Sequence, residues 1–175
     1  VPEMGTLAIF YIFLLIFYLI IWTMESIKIE MPLAILDLGA PDKLLTSILY
    51  GIATAMVFIT LASLGLTIQF TRLTTYTLGP TITTLSVVFC IPFAEEAFFG
   101  AILTPTLAEK IGIIPGLIIV SVLFGIFHYL AYGGATQLII LASVFRLLAS
   151  TADLHEKSML PGLIAHIIVN LLATI

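Results

Sequence analysis

Five polar side chains stand inside apolar runs, where each needs a reason to be. Glu95 and Glu96 lie in Pro92-Phe93-Ala94-Glu95-Glu96-Ala97-Phe98-Phe99-Gly100, His128 ends Phe124-Gly125-Ile126-Phe127-His128, and His166-Ile167-Ile168-Val169-Asn170 carries the last two. A charged side chain at the centre of a membrane helix costs ~2.5 to 3.5 kcal/mol on insertion scales, so such residues face a bundle interior or a polar site. Carboxylates and imidazoles exchange protons, and the chemistry on offer is therefore acid–base work or a proton relay.

Spacing narrows the reading. Adjacent helical side chains diverge by about 100°, so Glu95 and Glu96 cannot point into one pocket along one line; one faces chemistry and the other a structural partner. Pro92 removes a backbone donor just before the pair and kinks the helix there, freeing the Val88 carbonyl. His166 and Asn170 are four residues apart and share a helix face, as do Phe124 and His128. Taken singly, each feature also has an ordinary explanation. His128 or Asn170 would hydrogen-bond a neighbouring helix, and the acidic pair would serve as a counter-ion to Arg146. Cys90 reads as a small packing residue, and Phe98, Phe99 and Phe127 as packing or lipid-facing rings. Jointly, a glutamate, two histidines and an asparagine on three different segments satisfy one another most cheaply by converging.

The elements that must position these residues are membrane spans. Of 175 residues, 61% are hydrophobic and 9% charged, against about 25% charged in a soluble domain. A soluble globule of this length could not hide so much apolar surface. Crossing ~30 Å of hydrocarbon takes roughly 20 apolar residues as a helix, and several stretches qualify; the alternating segments of ~10 residues that a barrel needs are absent. The fold class is therefore all-α, a polytopic integral membrane bundle of about six spans. These run from Thr6 to Met24, Leu44 to Ile68, Thr81 to Leu107, Pro115 to Ala131, Gln137 to Leu148 and onward from Pro161. The fifth is short for a crossing and reads as tilted or re-entrant. The first has Glu3 rather than a basic flank before it and no cleavage signature after it, so it is expected to be retained.

The chain divides into 1–80, two spans without a recognised motif, and 81–175, which carries the polar motifs. Lys28, Lys43, Lys110 and Lys157, with Arg146 nearby, fall on one side and only Arg72 on the other, which places the N-terminus outside. A net charge of −4 spread over loops implies neither nucleic acid nor an acidic partner. A single cysteine excludes an internal disulfide framework. With these boundaries Glu95 sits near mid-membrane, His128 near one end of its span and His166 nearer the other side. Convergence thus requires tilted or broken helices, for which Pro92, the Pro-Gly starts and the short fifth span are candidate causes.

Glu-Glu-x-x-x-Arg, then Phe-x-x-x-His, then His-x-x-x-Asn on successive membrane helices resembles the signature of the CAAX protease and bacteriocin-processing, abortive-infection-like family of intramembrane glutamate proteases. Here the elements are Glu95 to Gly100, Phe124 to His128, and His166 to Asn170, and Ser158-Met159-Leu160-Pro161-Gly162-Leu163-Ile164-Ala165 also looks like the family's approach to its last motif. The resemblance covers about Ser86 to Ile175.

The resemblance implies an endopeptidase acting near the C-terminus of a membrane-anchored or lipidated, CAAX-like substrate in the plasma membrane of a prokaryote. Glu95 and His128 would hold and deprotonate a water, His166 and Asn170 would donate to the oxyanion, and Glu96 and Phe124 would support them, with no cofactor. In a variant, Glu95, His128 and His166 would ligate zinc, as a glutamate and two histidines do in many catalytic sites. No His-Glu-x-x-His helix accompanies that set. One position departs from the pattern, because Gly100 replaces the family's arginine. Arg146 or Arg72 would then serve Glu96 from another element, or Glu96 would be protonated. Otherwise the chain would be a non-catalytic scaffold or immunity-type partner that keeps the fold. A proton-coupled transporter is a third reading.

Overall fold

A computed structural model describes residues 41–65 and 86–174, and the first expected span and Arg72 lie outside them. Every regular element among the described residues is helical. After a 3₁₀ turn at Pro41–Lys43, α1 spans Leu44–Gly65. α2 is a composite helix over 86–111, in which α-helical Ile91–Glu95 and Thr104–Ile111 follow π-helical Ser86–Cys90 and Glu96–Leu103 in alternation. α3 is Ile113–Phe127, α4 is Thr136–Glu156 and α5 is Leu160–Thr174. The chain is an all-α integral membrane protein: among the described residues three helices are long and apolar enough to cross a bilayer, and two are shorter and apolar.

Local sequence explains the joints. Gly112 takes φ +96°, which lets the chain leave α2 and enter α3 within one residue. The turn into α4 relies on Gly133 and Gly134 at φ +57° and +76°, conformations that glycine adopts without steric cost. Close approach of helices is also set by glycine. A Cβ at Gly51 would lie 2.8 Å from the Pro161 carbonyl, and one at Gly125 would lie 2.8 Å from the Ile139 carbonyl, so α1 seats on α5 and α3 on α4 backbone to backbone. Phe58, Phe99, Phe124 and Phe145 fill the centre, with edge-on ring contacts of 5.0 to 5.4 Å. Leu45, Met56, Ile114, Ile126 and Leu130 point outward, whereas Glu95, Glu96 and Arg146 are fully buried. This inside-out polarity suits a lipid solvent.

Three expectations are corrected. The fifth span is not short, since α4 continues through Glu156 for 21 residues. Its polar second half is helical because Ser150, Asp153 and Glu156 are buried against partners on other helices. Arg146 is likewise internal and does not count as a loop charge. Cys90, expected to pack inside, is exposed.

The helices are also shorter and less regular than full spans where the site needs them to be. At ~1.5 Å per residue the 15 residues of α3 cover only about 22 Å, less than the ~30 Å of a hydrocarbon core. α5 begins inside the bundle: Met159, Pro161 and Gly162 are buried, and the Asp153 carboxylate accepts the Gly162 N–H at 2.7 Å. That contact satisfies one of the orphan amides of the first turn of α5 and draws His166 towards the middle.

Candidate active site

Glu95 closes the α-helical piece of α2 and Glu96 opens the π-helical one. π-turns cluster where the regular ladder is interrupted, frequently at functional sites, and Pro92 supplies the interruption three residues earlier. Both carboxylates are fully buried, and they diverge as the angular spacing requires.

Glu95 Oε2 lies 3.5 Å from His128 Nε2 and 3.6 Å from His166 Nε2. Convergence of the three motifs is thus observed. Neither oxygen of Glu95 has a hydrogen-bond partner, which is so for no other buried side-chain nitrogen or oxygen among the described residues. A buried carboxylate without donors is costly unless something polar meets it. His128 Nδ1 is 2.9 Å from the Phe124 carbonyl. A carbonyl only accepts, so Nδ1 carries a proton, and it is Nε2, whose lone pair is free in the neutral tautomer, that faces Glu95. The ring is held by Phe124 at 4.5 Å and Tyr132 at 5.2 Å.

Glu96 turns the other way. Its Oε1 is 2.9 Å from His166 Nδ1, and its Oε2 accepts from Arg146 Nη1 at 2.5 Å. Arg146 Nη2 donates to Asp153 Oδ2 at 2.7 Å and Nε to Ser150 Oγ at 2.8 Å. Thr104 Oγ1 donates to the Phe99 carbonyl at 2.6 Å, so Ser150 is the donor in its 2.9 Å bond with Thr104. His166 is packed by Phe145 at 4.8 Å and Phe124 at 6.1 Å. Asn170 is half-buried one turn further along α5. Among the described residues no group of three or more His, Cys, Asp or Glu side chains is disposed to hold a metal ion.

A family model described as type II CAAX prenyl endopeptidase Rce1-like matches residues 77–172, more than half of the chain and all three polar motifs. The chain belongs to this family. No curated protein and no solved structure matches the chain. As a member of the Rce1-like proteins it is a membrane-embedded member of a protease family.

The structure brings together Glu95, Glu96, Phe124, His128 and His166, as the motifs suggested. Arg146, one of the partners considered for Glu96, is in contact with it; Arg72 lies outside the described residues. Sequence reasoning missed Asp153, Ser150 and Thr104. The signal was present: 146, 150 and 153 recur at helical spacing and form one polar stripe along an otherwise apolar segment, the mark of a face turned to a polar interior.

Proposed function

We propose that the chain is an intramembrane endopeptidase that hydrolyses a peptide bond of a membrane-anchored or lipidated substrate with a water activated by Glu95 and His128. The observation that carries this is the partnerless buried Glu95 carboxylate facing two imidazole Nε2 atoms at 3.5 and 3.6 Å. A water donating one hydrogen to Glu95 Oε2 and the other to His128 Nε2 meets both acceptors and keeps its oxygen lone pair for a carbonyl carbon. As the C–O bond forms, the water's proton passes to Glu95. When the C–N bond breaks, that proton moves to the amine nitrogen.

The carbonyl oxygen becomes an oxyanion and needs donors. His166 has its Nδ1 committed to Glu96, so it donates through Nε2 when the ring carries its second proton; the Asn170 amide adds a second donor. Gly100 is the residue that favours a non-catalytic scaffold, and the Arg146 guanidinium on Glu96, supplied from α4, supports the catalytic reading. The proposal involves no metal.

The test is cleavage of a panel of membrane-anchored peptides, with and without a prenylated C-terminal cysteine, by the protein in liposomes. Wild type is expected to cleave at least one and to keep its rate in chelator, and Glu95→Gln to lose about 10²- to 10⁴-fold in kcat. Chelator-sensitive cleavage restored by zinc would move the reading to the metal variant. Glu95-dependent proton flux without cleavage would move it to a transporter.

A further inference from the structure

We propose that Arg146 and Asp153 of α4 are positioning residues of the proteolytic site, a clamp delivered from a second helix into the space left at Gly100, which aims His166 through Glu96. This rests on the proteolytic reading above and adds to it residues outside the three motifs.

The guanidinium is used on all sides. Nε, Nη1 and Nη2 each donate to a different residue, Ser150, Glu96 and Asp153, at 2.8, 2.5 and 2.7 Å. That planar three-way fork is within reach of arginine and not of lysine, whose ammonium is a point charge on a flexible stem. Cζ also lies 5.8 Å from the centroid of the Phe124 ring, the ring that packs on both histidines. Arg146 holds one oxygen of Glu96 and leaves the other to His166 Nδ1. Ring orientation at His166, and with it the 3.6 Å approach of Nε2 to Glu95, therefore depends on where Arg146 places Glu96. Asp153 fixes Arg146 in turn, and it is anchored by the first turn of the helix that carries His166, through the Gly162 N–H. The clamp closes a loop from α5 back to α5.

Space records the same arrangement. A Cβ at Gly100 would lie 3.0 Å from Glu96 Oε2, 3.0 Å from Asp153 Oδ2 and 3.4 Å from Arg146 Nη2. A Cβ at Gly162 would lie 2.5 Å from Glu96 Oε2 and 2.7 Å from Asp153 Oδ2. The clamp fills the volume that a side chain at position 100 would enter, so an arginine can come from α2 or from α4 but not from both.

The experiment transposes the arginine in the full chain. Arg146→Met, Arg146→Lys, Gly100→Arg and the double variant Gly100→Arg/Arg146→Ala are compared for peptide cleavage in liposomes and for thermal unfolding. Arg146→Met and Arg146→Lys are expected to lose about 100-fold in kcat, the scale of an ångström of misplacement, with KM within about threefold. Gly100→Arg alone crowds the clamp and loses activity, while the double variant recovers at least about tenfold of the Arg146→Met loss.

A second readout does not need cleavage. In ¹⁵N-histidine-labelled protein, the His166 Nδ1–H resonance, assigned by its loss in His166→Gln, should shift in Arg146→Met and Arg146→Lys and return in the double variant. If Arg146→Met fails to fold, the Arg146→Lys and double variants carry the comparison. An unshifted resonance in the Arg146 variants, or a folded double variant with neither activity nor the resonance restored, overturns the clamp. Should wild type cleave nothing while the resonance behaves as expected, the clamp stands and the proteolytic reading falls.

Discussion

At the scale of single residues, the decisive fact is that two adjacent carboxylates have opposite surroundings. Glu96 is fully coordinated by Arg146 and His166, and Glu95 accepts no hydrogen bond, with two imidazole Nε2 atoms at 3.5 and 3.6 Å. Burial makes the second condition expensive, and a polar substrate relieves it. Asn170 is expected to act only as the oxyanion develops, so Asn170→Ala should lower kcat by about 10² to 10³ while KM moves little. An equal loss in substrate affinity instead would show that Asn170 binds the ground state. The polar residues of the three motifs were legible in the sequence because lipid makes each conspicuous. Asp153 was less so: it sits among Ser150, His155, Glu156 and Lys157, a run that reads as a hydrophilic loop unless its helical spacing from Arg146 and Ser150 is weighed. Only its partners on α4 and α5 make it an interior residue.

At the scale of elements, irregular helices bring the site together. Full, straight spans would leave His128 and His166 at opposite depths; a short α3, an α5 that starts inside the bundle and a composite α2 remove the difference. Pro92 and the Pro-Gly starts were readable as causes of broken helices, but the π-turns were not, because the bonds that accompany them, such as that of Thr104 Oγ1 to the Phe99 carbonyl five residues back, leave no periodic mark in the sequence. The Thr104 hydroxyl donates to that carbonyl where π geometry gives way to α, and its oxygen accepts the Ser150 O–H. Thr104→Val is isosteric and strips the Ser150 hydroxyl of its acceptor and the Phe99 carbonyl of its side-chain donor, leaving that carbonyl the backbone N–H of residue 104, so it should destabilise the protein by ~1 to 3 kcal/mol. Ser121→Ala is the control: that hydroxyl bonds the Leu117 carbonyl of its own helix, and the cost should be smaller. Denaturant unfolding in micelles ranks the two, and equal midpoints would show that the Thr104 bond does not hold the π-to-α junction.

At the scale of the whole molecule, the arrangement of helix ends bears on orientation. Thr46 and Ser47 at the start of α1 donate to Glu156 at the end of α4, at 2.9 and 3.3 Å, so Lys43 and Lys157 share one end of the bundle. α3 packs antiparallel to α4 through Gly125 and Ile139, and Lys110 joins the start of α3, which places Lys110 at that same end. The opposite end, with the Tyr132-Gly133-Gly134 turn, carries no lysine or arginine among the described residues. With Arg146 withdrawn into the core, the bias among the described residues rests on these three lysines. It still favours a cytoplasmic lysine end and an external glycine turn, nearer which His128 lies. In a Cys90→Ser background, Ala135→Cys should react with an impermeant maleimide added to intact cells. Lys157→Cys should react only after the cells are opened. The reverse pattern would invert the molecule and bring the His128 side of the site to the cytoplasmic face, where prenylated C-termini would approach it from within.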